Sequence, residues 1–231
     1  MRLSLAFLLV AGVLGAQPTL TTFDETKARA LLRSQLPCLG CHELDGDGGH
    51  SAPSLTTVGA RRSGRYIAEM IRDPQARLPG AAMPRHDMPA HTRDLITRFL
   101  SRDARGADVA AVASPPAASA RAPDGAALYA KWCAACHGES GRGDGPNARD
   151  VPVPPARHAD SAAMSKRPDD SLYDVIAAGG LAWGRSARMP AFGATLSDGE
   201  IRALVAHIRT LCKCVGPAWS RAGTHAGGRT P

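Results

Sequence analysis

Apolar positions along this chain recur at helical spacing, and no stretch shows the strict alternation of a half-buried strand. The best-marked element is the last one, where Ile201, Leu204, Ile208 and Leu211 form a single apolar stripe behind a capping-box pattern of Ser197 and Glu200. Further helices are predicted from Asp24 through Leu36, from a Ser63 cap to just before Pro74, and over about Thr92 to Arg102. In the second half Asp124 starts a helix, and Asp169 opens another that stops at Gly179 and Gly180. The order of elements repeats: a helix carrying a short cysteine motif, a loop, a middle helix, a Met-Pro loop and a final helix. The expected fold class is therefore all-α, as two small helical bundles related by duplication of architecture rather than close sequence repeat.

The 231 residues divide at changes in composition. Arg2, the apolar run Leu3 to Leu14 and small residues up to Ala16 read as a secretory signal peptide over residues 1–16, too short for a comfortable membrane span. No later stretch is long enough to span, so the mature chain is expected to lack a transmembrane segment and to be periplasmic, secreted across the inner membrane. Residues 17–103 and 123–212 form the two modules, joined by an Ala/Pro/Ser-rich linker at 104–122 and followed by a basic tail at 213–231.

The formal charge of +7 does not mark a nucleic-acid surface. Residues 24–103 carry 12 basic and 10 acidic side chains and residues 123–212 carry 10 of each, so the modules are nearly balanced and most of the excess lies outside them. No nucleic-acid partner is expected.

Each module holds one pentapeptide of the same kind, CLGCH at Cys38 to His42 and CAACH at Cys133 to His137. Two thiols three positions apart share one face of a helical turn, where each can form a thioether with a vinyl group on a haem edge. The histidine that follows lies beside the iron and can fill one axial position. A zinc site or a thioredoxin-like dithiol would also use CxxC pairs, but the pairs are 95 residues apart and neither opens a βαβ pattern. Neither alternative requires a histidine directly after both pairs. The expectation is two covalently bound haem c groups, held by Cys38, Cys41 and His42 and by Cys133, Cys136 and His137. A macrocycle would also supply apolar core to modules of marginal size in a chain with only 4% aromatic residues.

On these residues each half resembles a class I cytochrome c domain, and the two together cover nearly all of the chain between leader and tail. In the second half CHGESGRGDGP, RMPAF and LSDGEIRALVAHI are similar to dihaem and dehydrogenase-associated cytochromes. The resemblance implies a distal methionine before the last helix, Met189, whose soft neutral thioether favours ferrous iron and raises the potential. In the first half two Met-Pro pairs compete. Met83 is preferred to Met88 because it lies 12 rather than 7 residues before Leu95, closer to the 15 between Met189 and Leu204. His86 and His91 are more distant candidates. Pro53 resembles the proline whose carbonyl orients the proximal imidazole, here His42, and for His137 that role falls to Pro154 or Pro155. Arg61 or Arg62 is placed to reach a haem propionate, a solvated basic pair being the alternative. Cys212 and Cys214 remain outside this pattern, as a tight CxC disulfide, free thiols or an intermolecular link.

The implied function is a periplasmic dihaem c-type cytochrome that relays single electrons between redox protein partners. The donor would be a dehydrogenase or quinol oxidase and the acceptor a terminal oxidase. A dihaem peroxidase or sulfur-compound dehydrogenase is the catalytic alternative, requiring a labile or unusual ligand at one iron. A third reading is a subunit docked on a dehydrogenase through its basic tail.

Overall fold

Thr21 and Asp24 cap each other reciprocally, and from that box the chain is helical over Thr22–Ser34 (α1). The computed structural model describes residues 19–106 and 122–221. The leader at 1–16, most of the linker and the end of the tail lie outside the described residues. The cap of α1 is one turn earlier than the sequence suggested, because Asp24 acts from the third helical position and Thr21 accepts its N–H.

After α1 comes a tight 3₁₀ turn at Pro37–Gly40, then a two-residue hairpin of β1 (Glu43–Leu44) and β2 (Asp47–Gly48), with Glu43 opposite Gly48. No residue pattern announces this sheet, since strands of two residues carry no period. Short helices α2 (Val58–Arg61) and α4 (Pro74–Arg77) flank α3 (Gly64–Arg72), whose Ser63 cap accepts the Tyr66 N–H as expected. The module closes with α5 (Ala90–Leu100), two residues earlier at each end than predicted. Pro89 sets its start: its fixed φ suits the entry to a helix, and it has no N–H to satisfy.

In the second half Asp124 accepts two backbone N–H groups and opens α6 (Gly125–Trp132). Then follow α7 (Ala134–His137), a 3₁₀ turn at Ala148–Asp150, α8 (Ser161–Met164) and α9 (Asp169–Ala178), which Gly179 ends at φ 78°. A further 3₁₀ turn at Leu181–Trp183 precedes α10 (Asp198–Cys212), with the predicted Ser197–Glu200 box, and a last turn of helix, α11, at Ala218–Arg221.

Each half has its own apolar cluster. In the first, Ala28 and Leu32, one turn apart on α1, meet Ile67 of α3 and Leu95, Ile96 and Phe99 of α5. In the second, Tyr129 of α6 and Leu172 and Ile176 of α9 pack on Ile201, Leu204, Val205 and Ile208 of α10. Leu211 of the predicted stripe lies at the edge of this cluster, and Cys212 replaces it inside. No helix among the described residues is long and apolar enough to cross a membrane.

Cys212 and Cys214 are bonded to each other, their Cα atoms 5.1 Å apart. The ring closes because Lys213 takes the left-handed conformation that caps α10, at φ 50°, and turns the chain back on itself. Both cysteines should therefore resist alkylation in the folded protein and react only after reduction, as peptide mass analysis would show. Leu204 is fully buried, so Leu204→Ala should cost about 2–5 kcal/mol of stability in denaturant unfolding of the haem-loaded protein.

Candidate haem centres

The cysteine motifs lie just beyond the first helix of each half, not on it. Pro37 breaks α1 and starts the 3₁₀ turn that carries Cys38. Cys133 both ends α6 and begins α7. In each motif the histidine N–H returns to the carbonyl of the first cysteine, at 3.0 Å from His42 to Cys38 and 2.9 Å from His137 to Cys133. One turn of backbone thus places two thiols and an imidazole side by side.

All four motif cysteines are free thiols. Desolvation pushes Cys38 up to about 11, Cys133 to about 12 and Cys136 to about 11, and raises Cys41 as well. Burial thus favours the neutral S–H form of all four.

His42 Nδ1 donates to the Pro53 carbonyl at 2.7 Å. The loop carrying Pro53 is fixed from both sides: Leu55 N–H donates to Glu43 O at 2.8 Å, and the Glu43 carboxylate takes the Ser54 hydroxyl and, at 3.1 Å, that of Thr56. These donors hold the Glu43 carboxyl below its usual range. Arg61 braces the same loop by donating to the carbonyls of Ser54 and Thr57.

In the second half the acceptor for His137 Nδ1 is Ala156 O at 2.9 Å, so neither Pro154 nor Pro155 has that role. The prolines stiffen the segment, and the carbonyl that reaches the ring is the next one along.

A residue that sequence reasoning missed stands here as well. The His158 ring stacks on His137 with centroids 4.1 Å apart and planes within 12°, while Tyr129 Oη lies 2.9 Å from its Nδ1. Burial, with the neighbouring His137, drives His158 down to about 2, so it is a neutral imidazole that accepts from the tyrosine hydroxyl. A lone histidine 21 positions beyond the motif carries no pattern that would have marked it.

The two first-half methionines differ in their surroundings. Met88 directly precedes Pro89 at the start of α5, as Leu196 directly precedes the Ser197 cap of α10, and both side chains pack on their apolar clusters. That position is the hydrophobic staple of a helix start. Met83 has no such packing role; its loop is held by Gln75 Nε2 donating to its carbonyl at 2.6 Å. Met189 lies at the edge of the second cluster, its carbonyl accepting from Gly180 at 3.0 Å.

The motif turns of the two halves pack directly on each other. Asn147, fully buried, donates from Nδ2 to Gly40 O at 3.0 Å and to Ser51 Oγ at 2.7 Å, and accepts the His50 N–H at 3.1 Å. Cys136 Sγ lies 3.8 Å from Gly40 O. Arg188, only 6% exposed, donates to Leu39 O at 2.9 Å and to both Asp47 carboxylate oxygens at 3.0 and 3.1 Å.

These residues fit a covalently bound haem. Each site offers two thiols outside any disulfide and an imidazole whose Nδ1 is committed to a carbonyl, leaving Nε2 for a metal. The buried Nε of Arg188 has no acceptor among the described residues, a donor suited to a carboxylate such as a propionate. Arg61 and Arg62, the arginines singled out in the sequence, have carbonyl partners of their own.

The first half, over residues 16–113, matches the family model for cytochrome c, and residues 120–208 match that for subunit III of the cbb3-type cytochrome c oxidase. A comparison with curated proteins finds no match. Among solved structures, the chain is similar to the KustC0563 c-type cytochrome at 27% identity, over 38% of this chain and 96% of that one, with a TM-score of 0.31. It is also similar to the Kuenenia stuttgartiensis reducing HAO-like protein complex Kustc0457/Kustc0458 at 20% identity, over 84% of this chain and 98% of that one, with a TM-score of 0.33. Two adjoining cytochrome c matches on a mostly helical frame, each containing one CxxCH turn, make this chain a tandem c-type cytochrome, a haem-binding electron-transfer protein.

Proposed function

We propose that the chain is a periplasmic dihaem cytochrome relaying single electrons between a respiratory donor, a dehydrogenase or quinol oxidase, and an acceptor such as a terminal oxidase. The observation that carries this reading is the packing of the two CxxCH turns on one another through Asn147, Arg188 and Cys136. It brings the thioether edges of both sites to one interface, where an electron passes within the chain rather than between collisions. The second half's match to an oxidase subunit supports an oxidase as the acceptor.

When bound, each haem supplies a one-electron ferric/ferrous couple. The residues of the chain hold and tune that couple. Cys38 and Cys41, and Cys133 and Cys136, tether it; His42 and His137 provide the proximal nitrogens. Pro53 and Ala156 accept the Nδ1 protons, which fixes ring orientation and makes each imidazole a stronger donor to the metal. Met83 and Met189 would supply the distal thioethers; Met83 is preferred to Met88 because its spacing from Leu95 is nearer to that of Met189 from Leu204. A thioether at each site would leave no open position for a substrate, which favours a carrier over a peroxidase.

Protein matured in a host with haem-attachment machinery should carry two covalent haems per chain, recovered from the periplasm without residues 1–16. Its potentiometric titration should show two one-electron steps. Met189→His should lower one potential and Met83→His the other, each by a sizeable fraction of the ~0.8 V that axial ligands span, while Met88→His moves neither. A single haem per chain, or cyanide and peroxide binding rapidly to half of the haem, would replace the relay with the catalytic reading.

A further inference from the structure

Arg188 directly precedes the methionine assigned to the second haem, and its backbone N–H stays within that half on Ser186 Oγ at 3.2 Å, yet its side-chain hydrogen bonds all go to the first module. Its Nη1 reaches the Leu39 carbonyl inside CLGCH, and its Nη2 grips Asp47 on β2. The Leu39 carbonyl also accepts Gly49 N–H at 3.0 Å, and Asp47 also faces Arg33 at 3.7 Å, so the anchor is itself held in place.

The backbone of Arg188 makes a second, independent contact. A Cβ added at Gly40 would lie 2.2 Å from the Arg188 carbonyl oxygen, far inside contact distance. The matching residue in the other motif is Ala135, so the haem-attachment turn itself does not require glycine there. Gly40 is needed for the approach of the Met189 loop. A reverse contact exists too: Arg85, two residues after Met83, donates its backbone N–H to Thr195 Oγ1 at 2.8 Å, in the loop leading to α10.

We infer that Arg188 is a positioning residue for the distal ligand of the second haem. It anchors the Met189 loop on the haem-attachment turn of the first module, so that methionine ligation in one half depends on contacts made by the other. The inference rests on Met189 as distal ligand. The dependence is stronger from first module to second, where a buried guanidinium and a backbone contact act together, than in reverse, where a single hydrogen bond acts.

The test uses the haem-loaded full chain and two readouts, the methionine-to-iron charge-transfer band of the oxidised protein and the two potentials. Arg188→Ala should remove up to half of the band intensity and lower the second potential, with the first unchanged. Arg188→Lys should lie between that variant and the parent protein, because an ammonium cannot span Leu39 O and both Asp47 oxygens at once. Gly40→Ala, which leaves Arg188 and all ligands in place, should reproduce the effect by displacing the loop, and gives a readout if Arg188→Ala does not fold. An unchanged band and unchanged potentials in Gly40→Ala and in folded Arg188→Ala, or a change confined to the first haem, overturn the inference. Met189→His separates the two failures: if it shifts a potential while the Arg188 and Gly40 variants do not, the ligand assignment stands and the positioning role falls. If it shifts none, the ligand assignment itself is wrong.

Discussion

The contact on which this molecule turns is the seating of the Arg188 carbonyl against Gly40, in the middle of the first CxxCH turn. Around it the buried polar groups of the interface are nearly all satisfied. Asn147 uses both amide protons and its oxygen, and four of the bonds from Asn147 and Arg188 end on Leu39 O, Gly40 O and the Asp47 carboxylate. A buried polar network of this kind specifies one geometry because any displacement leaves desolvated groups unpaired. Two modules with separate apolar cores are thereby held as one object, with their cofactor-bearing turns facing.

Stability is not what this network chiefly provides. A guanidinium drawn out of water loses solvation that its ion pair repays only in part, and Asp47 keeps 39% of its side-chain surface exposed, so its attraction to Arg188 is screened. The gain is in orientation. An electron relay needs its two stations in fixed relation, and a distal thioether needs its loop held against a metal that binds it weakly. Both needs are met at one interface by an arginine next in sequence to the methionine.

The proximal sides follow a different logic. Each is local, built within about twenty residues of its motif, and each ends in a carbonyl that accepts the imidazole proton. The carbonyl differs between halves, Pro53 in one and Ala156 in the other. Among the described residues the second half adds a stacked partner, His158, kept neutral by burial and by the neighbouring His137. Two modules of like architecture would thus offer their haems different surroundings, a physical basis for unequal potentials.

The amino-acid pattern alone determined the class of cofactor, the helical character, the caps at Ser63, Asp124, Ser197 and Glu200, and the candidate ligands. Each of these is written in residue types at fixed short spacing, and short spacing is what backbone geometry enforces. The choice between Met83 and Met88 was only half legible. Loop length favours Met83, and the structure adds only that Met88 directly precedes the Pro89 cap of α5 and packs on the apolar cluster. The acceptor for His137, the stacking of His158, the Cys212–Cys214 pairing and the whole interface through Arg188 and Asn147 were decided by tertiary structure. They join residues up to 149 positions apart, or depend on a left-handed turn at a lysine. Nothing local distinguishes an arginine that will be buried against a distant carbonyl from one that will stay in water, because the energy that decides between them comes from the groups it meets after folding.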